Sequence, residues 1–109
     1  MISYYVIDAF STQLFHGNPA GVCILKTPLP EQIMQQIAFE NNLAETAFVF
    51  QEGGLLRLRW FTPKSEIDLC GHATLAAAFV WMNVVNPNCN AVSFETMSGT
   101  LTVNKKNDI

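Results

Sequence analysis

Charge is scarce in this sequence: only 14% of its 109 residues are Asp, Glu, Lys or Arg. The six Lys and Arg are scattered and the formal net charge is −3. The lone basic pair, Lys105-Lys106, sits in a polar tail, so there is no footprint for a nucleic-acid partner. No apolar run reaches the ~20 residues needed to span a bilayer, which excludes a membrane helix. The chain starts directly on a β-rich stretch and lacks the basic region of a secretory signal, so no such signal is expected. Cysteine is also sparse. Cys23, Cys70 and Cys89 are odd in number and widely spaced, which rules out a disulfide framework or a CxxC clip. That usage suits a reducing, cytoplasmic setting. With two histidines and no cluster of ligand-type side chains, no metal site is expected.

What the chain does have is apolar mass, since half of its residues are hydrophobic. The length fits one domain, and this supply exceeds what so small a core consumes. One face is therefore expected to pack against something else.

The periodicity predicts a first strand at 2–8, with Ile2, Tyr4 and Val6 on one face. A loop follows from Phe10 to Pro19, turning at Gly17-Asn18-Pro19, with His16 a solvated loop residue; a strand runs over 20–25. Pro30 can open a helix, and Ile33, Met34, Ile37 and Ala38 share one face of the segment 31–41. The clearest hairpin spans 46–62. It turns at Gly53-Gly54, with Leu56, Leu58 and Trp60 on one face and Arg57 and Arg59 on the other. From Gly71 to Val84 there is almost no polar face, which predicts a helix buried on all sides. A last hairpin, 92–95 with 100–103, turns at Ser98-Gly99. The order β-β-α-β-β-α-β-β predicts an α+β lobe, a curved and mainly antiparallel sheet wrapped around a central buried helix.

Three stretches could carry chemistry. Asp68-Leu69-Cys70-Gly71-His72-Ala73-Thr74 places two reactive side chains and a glycine where helix N–H groups are unpaired, a seat suited to a carboxylate. The helix dipole there would favour thiolate at Cys70. The alternative is a polar helix cap with a structural cysteine. Glu45 stands where an apolar strand begins, partly withdrawn from water, a setting in which a carboxylate can exchange protons near neutrality. The alternative is a solvated strand-end glutamate. Gly17-Asn18-Pro19-Ala20-Gly21 is either a plain turn or a pocket-lining loop in which Asn18 orients a ligand. Ser98 could place a hydroxyl at the rim. Cys23 and Cys89 read as structural or incidental.

Taken together these stretches resemble the PhzF-like family, the phenazine-biosynthesis-type isomerases. The resemblance runs through Asp8-Ala9-Phe10, Gly17 to Val22, Asn41 to Phe48, Arg59 to Pro63, Asp68 to Ala76 and Phe94 to Gly99. Six motifs in register cover essentially the whole chain. The resemblance implies the diaminopimelate epimerase-like fold, whose two lobes face each other across the active-site cleft, and residues 1–109 match only the first lobe. It implies that Glu45 is the acid/base moving a proton between substrate carbons, and that Gly71 and His72 bind and orient the substrate; Ala73 and Asn18 are further candidate binding residues. It also implies that no cofactor is needed, because the substrate delocalises the charge formed on proton removal.

A single lobe leaves the substrate in water on one side, which weakens the electrostatic contacts a carbanion-like transition state needs. A homodimer rebuilding the cleft by two-fold symmetry is the expected remedy, and a longer chain is the other. Three functions follow. One is a cofactor-independent isomerase of a small carboxylated metabolite using Glu45. The second is a racemase or epimerase using Cys70 as secondary acid/base, and the third is a non-catalytic binding or assembly module.

Overall fold

Alternation at period two builds the sheet, and the two faces of that alternation build two cores. The computed structural model describes residues 2–9 and 18–104, without the side chains of residues 8, 9 and 18. The expected loop from Phe10, with His16 and Gly17, and the tail from Lys105 lie outside the described residues. Strands β1 (Ile2–Ala9) and β2 (Asn18–Leu25) precede helix α1 (Glu31–Asn41). Strands β3 (Glu45–Glu52), β4 (Leu55–Phe61) and the two-residue β5 (Glu66–Ile67) then lead to helix α2 (Gly71–Val80). A π-helical turn (Trp81–Val85), β6 (Ala91–Thr96) and β7 (Gly99–Asn104) complete the order. The sheet runs β1-β2-β3-β4-β6-β7, with β5 paired to β4. Only β2–β3 and β4–β6 are parallel, so the mainly antiparallel α+β architecture expected from the sequence is the one found.

One sheet face carries Ala20, Val22, Ala47, Val49, Leu58, Trp60, Val92 and Phe94, packed with Ala73, Ala76 and Ala77 of α2. The opposite face carries Cys23, Leu25, Phe48, Phe50 and Phe61 against Met34 and Ala38 of α1. Small residues on α2 let the sheet approach it closely. Phe48 and Phe61 meet edge to face at 5.4 Å in the second core, a geometry their ring quadrupoles favour.

Local chemistry explains where elements stop. Asn42 ends α1 in the left-handed conformation (φ 55°), and its N–H bonds back to Ala38 O at 3.2 Å; asparagine tolerates this geometry better than most residues. Gly53 and Gly54, at φ 62° and 82°, form the two-residue turn whose twist suits a hairpin. At the far end of α2, Asn86 N–H reaches Trp81 O at 2.8 Å, closing the π turn that replaces the last expected α-helical residues.

Three details differ from the sequence reading. Asn18 and Pro19 are the first residues of β2, in register with Ala9 and Asp8, rather than part of the turn. Proline is tolerated there because it opens the strand. The last hairpin turns at Met97-Ser98, and Gly99 (φ 96°) pairs with Thr96 as the first residue of β7. Lastly, α2 is not buried all round: Leu75 and Phe79 are 38% and 49% exposed. Its apolar sequence satisfies the sheet on one side, and the described residues leave the other side open. The first strand shows the same surplus. Tyr5 and Ile7 pack on the core while Ile2, Tyr4 and Val6 face outward.

Candidate active site

Glu45 is the first residue of β3, on the face that meets α2, and lies in register beside Ala20 of β2. The flanking asparagines set that position. Asn42 terminates α1, and Asn41 Nδ2 donates to the buried Thr46 hydroxyl at 3.3 Å. The carboxylate is mostly covered (22% exposed), and its Oε1 stands 3.9 Å from His72 Nε2 in the first turn of α2. That separation is an electrostatic contact, too long for a hydrogen bond. Oε1 is buried and accepts no hydrogen bond among the described residues.

His72 is itself mostly covered, at 23% exposure. Gly71 is open: among the described residues, no heavy atom outside its chain neighbours and its own helix backbone lies within 4 Å of where a Cβ would stand. The described residues therefore leave ligand access to the N–H groups at the start of α2 unobstructed at this residue. Ala73 is fully buried, so it can offer a ligand only its backbone. Thr74 closes the first turn, with both its N–H and its hydroxyl donating to Cys70 O at 3.0 and 2.7 Å.

Cys70 corrects the expectation of a thiolate. Burial pushes its thiol up, the nearby Glu45 charge pushes the same way, and the N–H groups of Ala73 and His72 oppose them without prevailing. The helix dipole alone would favour the anion; removal from water and a carboxylate neighbour outweigh it.

Ser98 is exposed in the β6–β7 turn, and its hydroxyl donates to Asp68 O at 2.5 Å. It therefore ties the last hairpin to the segment leading into α2. Of Asn18, only the backbone is described; it stands two residues before Ala20, the residue in register with Glu45. The structure thus brings Glu45, Cys70, Gly71 and His72 to one place and puts Ser98 on the tether behind Asp68.

Two features were not anticipated. Arg59 grips Glu66 of β5 through two bonds of 2.8 and 2.7 Å and reaches Glu31 of α1 at 3.0 Å. The charge alternation of β4 placed Arg59 on this face, but its partners come from separate elements. Trp60 is buried with an indole Nε1–H that has no acceptor among the described residues.

The model of the family described as phenazine biosynthesis-like protein (PhzC-PhzF) matches residues 7–109. The chain belongs to that family. A PhzC/PhzF protein from Clostridium difficile superposes with a TM-score of 0.91 at 55% identity, over 98% of this chain and 41% of its own. A PhzF-family protein from Enterococcus faecalis gives 0.88 at 55% identity, over 95% of this chain and 40% of that one. In sequence, a Pseudomonas aeruginosa protein named an uncharacterized isomerase is 48% identical over 107 residues. The match spans 98% of this PhzC-PhzF chain and 41% of that relative. The chain thus spans about two fifths of the length of the curated relatives it matches.

Proposed function

We propose that this chain supplies one wall of an isomerase site that moves a proton within a small carboxylated metabolite, without a cofactor. The observation that carries the reading is the mostly covered Glu45 carboxylate, held 3.9 Å from His72 beside the start of α2. In this reading Glu45 takes the proton from one substrate carbon and returns it to another. Gly71, His72 and Ala73 hold the substrate carboxylate at the helix terminus, where N–H groups and dipole favour negative charge, and Asn18 orients it. The charge left on the substrate is spread over its own conjugated system. Family membership and the isomerase naming of relatives support the reaction class. Three free thiols support a reducing, cytoplasmic setting.

The test is deuterium incorporation from heavy water into candidate substrates. Glu45→Gln is expected to reduce it by ~10²–10⁴-fold, the usual contribution of general acid–base catalysis, and Cys70→Ala to leave most of it. Loss with Cys70→Ala alone would transfer the role to the thiol. Ligand-induced stabilisation that survives Glu45→Gln, with no exchange for any substrate, would make the chain a binding module.

The second wall is proposed to be a second copy of the chain. His72, Leu75 and Phe79 lie along one face of α2, at helical spacings of three and four. Leu75 and Phe79 are open, so an apolar strip runs from the site along the helix. Two such strips meeting about a two-fold axis would cover each other and close the cleft. Light scattering after size exclusion should then give twice the chain mass, reduced to one by Phe79→Asn. A clean monomer at micromolar concentration refutes the dimer and leaves a chain continuation, of the kind the longer relatives have, as the covering element.

A further inference from the structure

Two buried polar side-chain atoms without hydrogen-bond partners stand out among the described residues: Glu45 Oε1 and Trp60 Nε1. One is an acceptor and the other a donor. Trp60 pairs across the sheet with Ala47 of β3 and with Ile67 of β5. Glu45 precedes Ala47 by two residues and shares its face, so it is a diagonal neighbour of Trp60. Diagonal positions in an antiparallel pair stand ~7–8 Å apart, a gap that a long aromatic side chain can span. Among the described strand residues, the other same-face neighbours of Trp60 are Ala47, Val49, Leu58 and Ile67, whose side chains carry no acceptor. A buried indole N–H nearly always finds a partner, directly or through water, and buried waters characteristically join just such orphaned groups.

We propose that Trp60 is a positioning residue for Glu45, its indole N–H and the Glu45 carboxylate being joined through one buried water. The role rests on the reading that Glu45 carries the proton. It adds a means by which the core holds the carboxylate: the water fixes one oxygen from below and leaves the other for the substrate. The fit accounts for tryptophan where the neighbouring core positions are aliphatic, since phenylalanine would fill similar space and donate nothing.

The chain holds two tryptophans, so nitrogen-15 spectra give two indole signals, and Trp81 in the π turn is the internal reference. Among the described residues, the other titratable groups packed near this part of the core are Cys70 just before α2, His72 in its first turn, Tyr5 from β1 and Cys89 ahead of β6. The pH titration is therefore run on the wild type and on Glu45→Gln. The Trp60 indole proton is expected to shift in step with the Glu45 carboxyl carbon and to lose that shift in Glu45→Gln, with Trp81 unmoved. Trp60→Phe is expected to lower kcat for deuterium exchange while leaving KM nearly unchanged, a split that a merely structural role would not produce. A Trp60 signal that stays flat through the Glu45 titration overturns the inference. So does one that shifts equally in Glu45→Gln, since another group would then be responsible. If Trp60→Phe does not fold, the comparison of wild type with Glu45→Gln still decides. None of the spectra reads turnover, so a coupled Trp60 signal without deuterium exchange refutes the base role of Glu45 and leaves the pair intact.

Discussion

Replacing Arg59 with methionine tests how the lobe holds its site in place. Arg59 makes two charge-assisted bonds to Glu66, of 2.7 and 2.8 Å, and the Glu66 side chain is only 12% exposed. Glu66 lies in the two-residue β5, just ahead of the Cys70-Gly71-His72 turn, so the clamp fixes the path into α2. Bonds to charged groups contribute about 1.5–3 kcal/mol, and a covered carboxylate left alone adds a desolvation cost. The third contact, to Glu31, is 3.0 Å long, but that carboxylate is 66% exposed; such pairs contribute about 0–1 kcal/mol. Arg59→Met should therefore cost about 3 kcal/mol, and Glu31→Gln less than about 1 kcal/mol. For a domain of this size, about 3 kcal/mol corresponds to a fall in Tm of roughly 12 °C. Thermal unfolding followed by circular dichroism reads both. The double variant Arg59→Met/Glu66→Gln should be less damaging than the sum of the singles, because each removes the same contact. Amide exchange at residues 71–74 should accelerate in Arg59→Met well below its Tm. Equal Tm values for Arg59→Met and Glu31→Gln, or strict additivity in the double variant, would refute the clamp.

Burial raises the Cys23 thiol from 9.0 to about 12. Because the folded value lies above the unfolded one, this contribution is intact below about pH 9 and is lost as pH rises toward about 12. Urea midpoints should accordingly fall over that window in the wild type and fall less in Cys23→Ala; identical slopes would refute the assignment. At Gly21, an added Cβ would stand 3.0 Å from Tyr4 Cε1 and 3.4 Å from Asn41 Nδ2. Tyr4 is 44% exposed and can yield, so Gly21→Ala should cost about 1 kcal/mol, while Gly21→Val should reach about 2–3 kcal/mol through overpacking. A valine variant as stable as the wild type in urea would show that the close approach is not limiting.

Much of the fold was legible from local pattern. Alternation in β4 set its faces, Gly53-Gly54 set the turn before it, and the apolar spacing in α1 gave Met34 and Ala38 as its buried residues, although Ile33 of the same predicted face is exposed. Those signals are short-range: each depends on a few residues and on backbone geometry that the residue types dictate. The Met97-Ser98 turn was misplaced by one residue because Gly99 is compatible with a turn and with a left-handed first strand residue alike. Only the register with Thr96 distinguishes them.

For the site, the sequence by itself determined which residues were chemically able and, through six motifs in order, which family they resemble. It could not determine their mutual distances, because Glu45 and His72 stand on different elements and meet only when α2 packs across the sheet. The Cys70 thiol shows the consequence. Its local sequence predicts an activated anion, whereas burial and the Glu45 charge, both products of packing, push it toward the protonated form. The same holds for the open strip on α2, since hydrophobicity is written in the sequence but which side is covered depends on where the sheet ends. Electrostatics and burial fall off through space, not along the chain, so tertiary structure alone decided them.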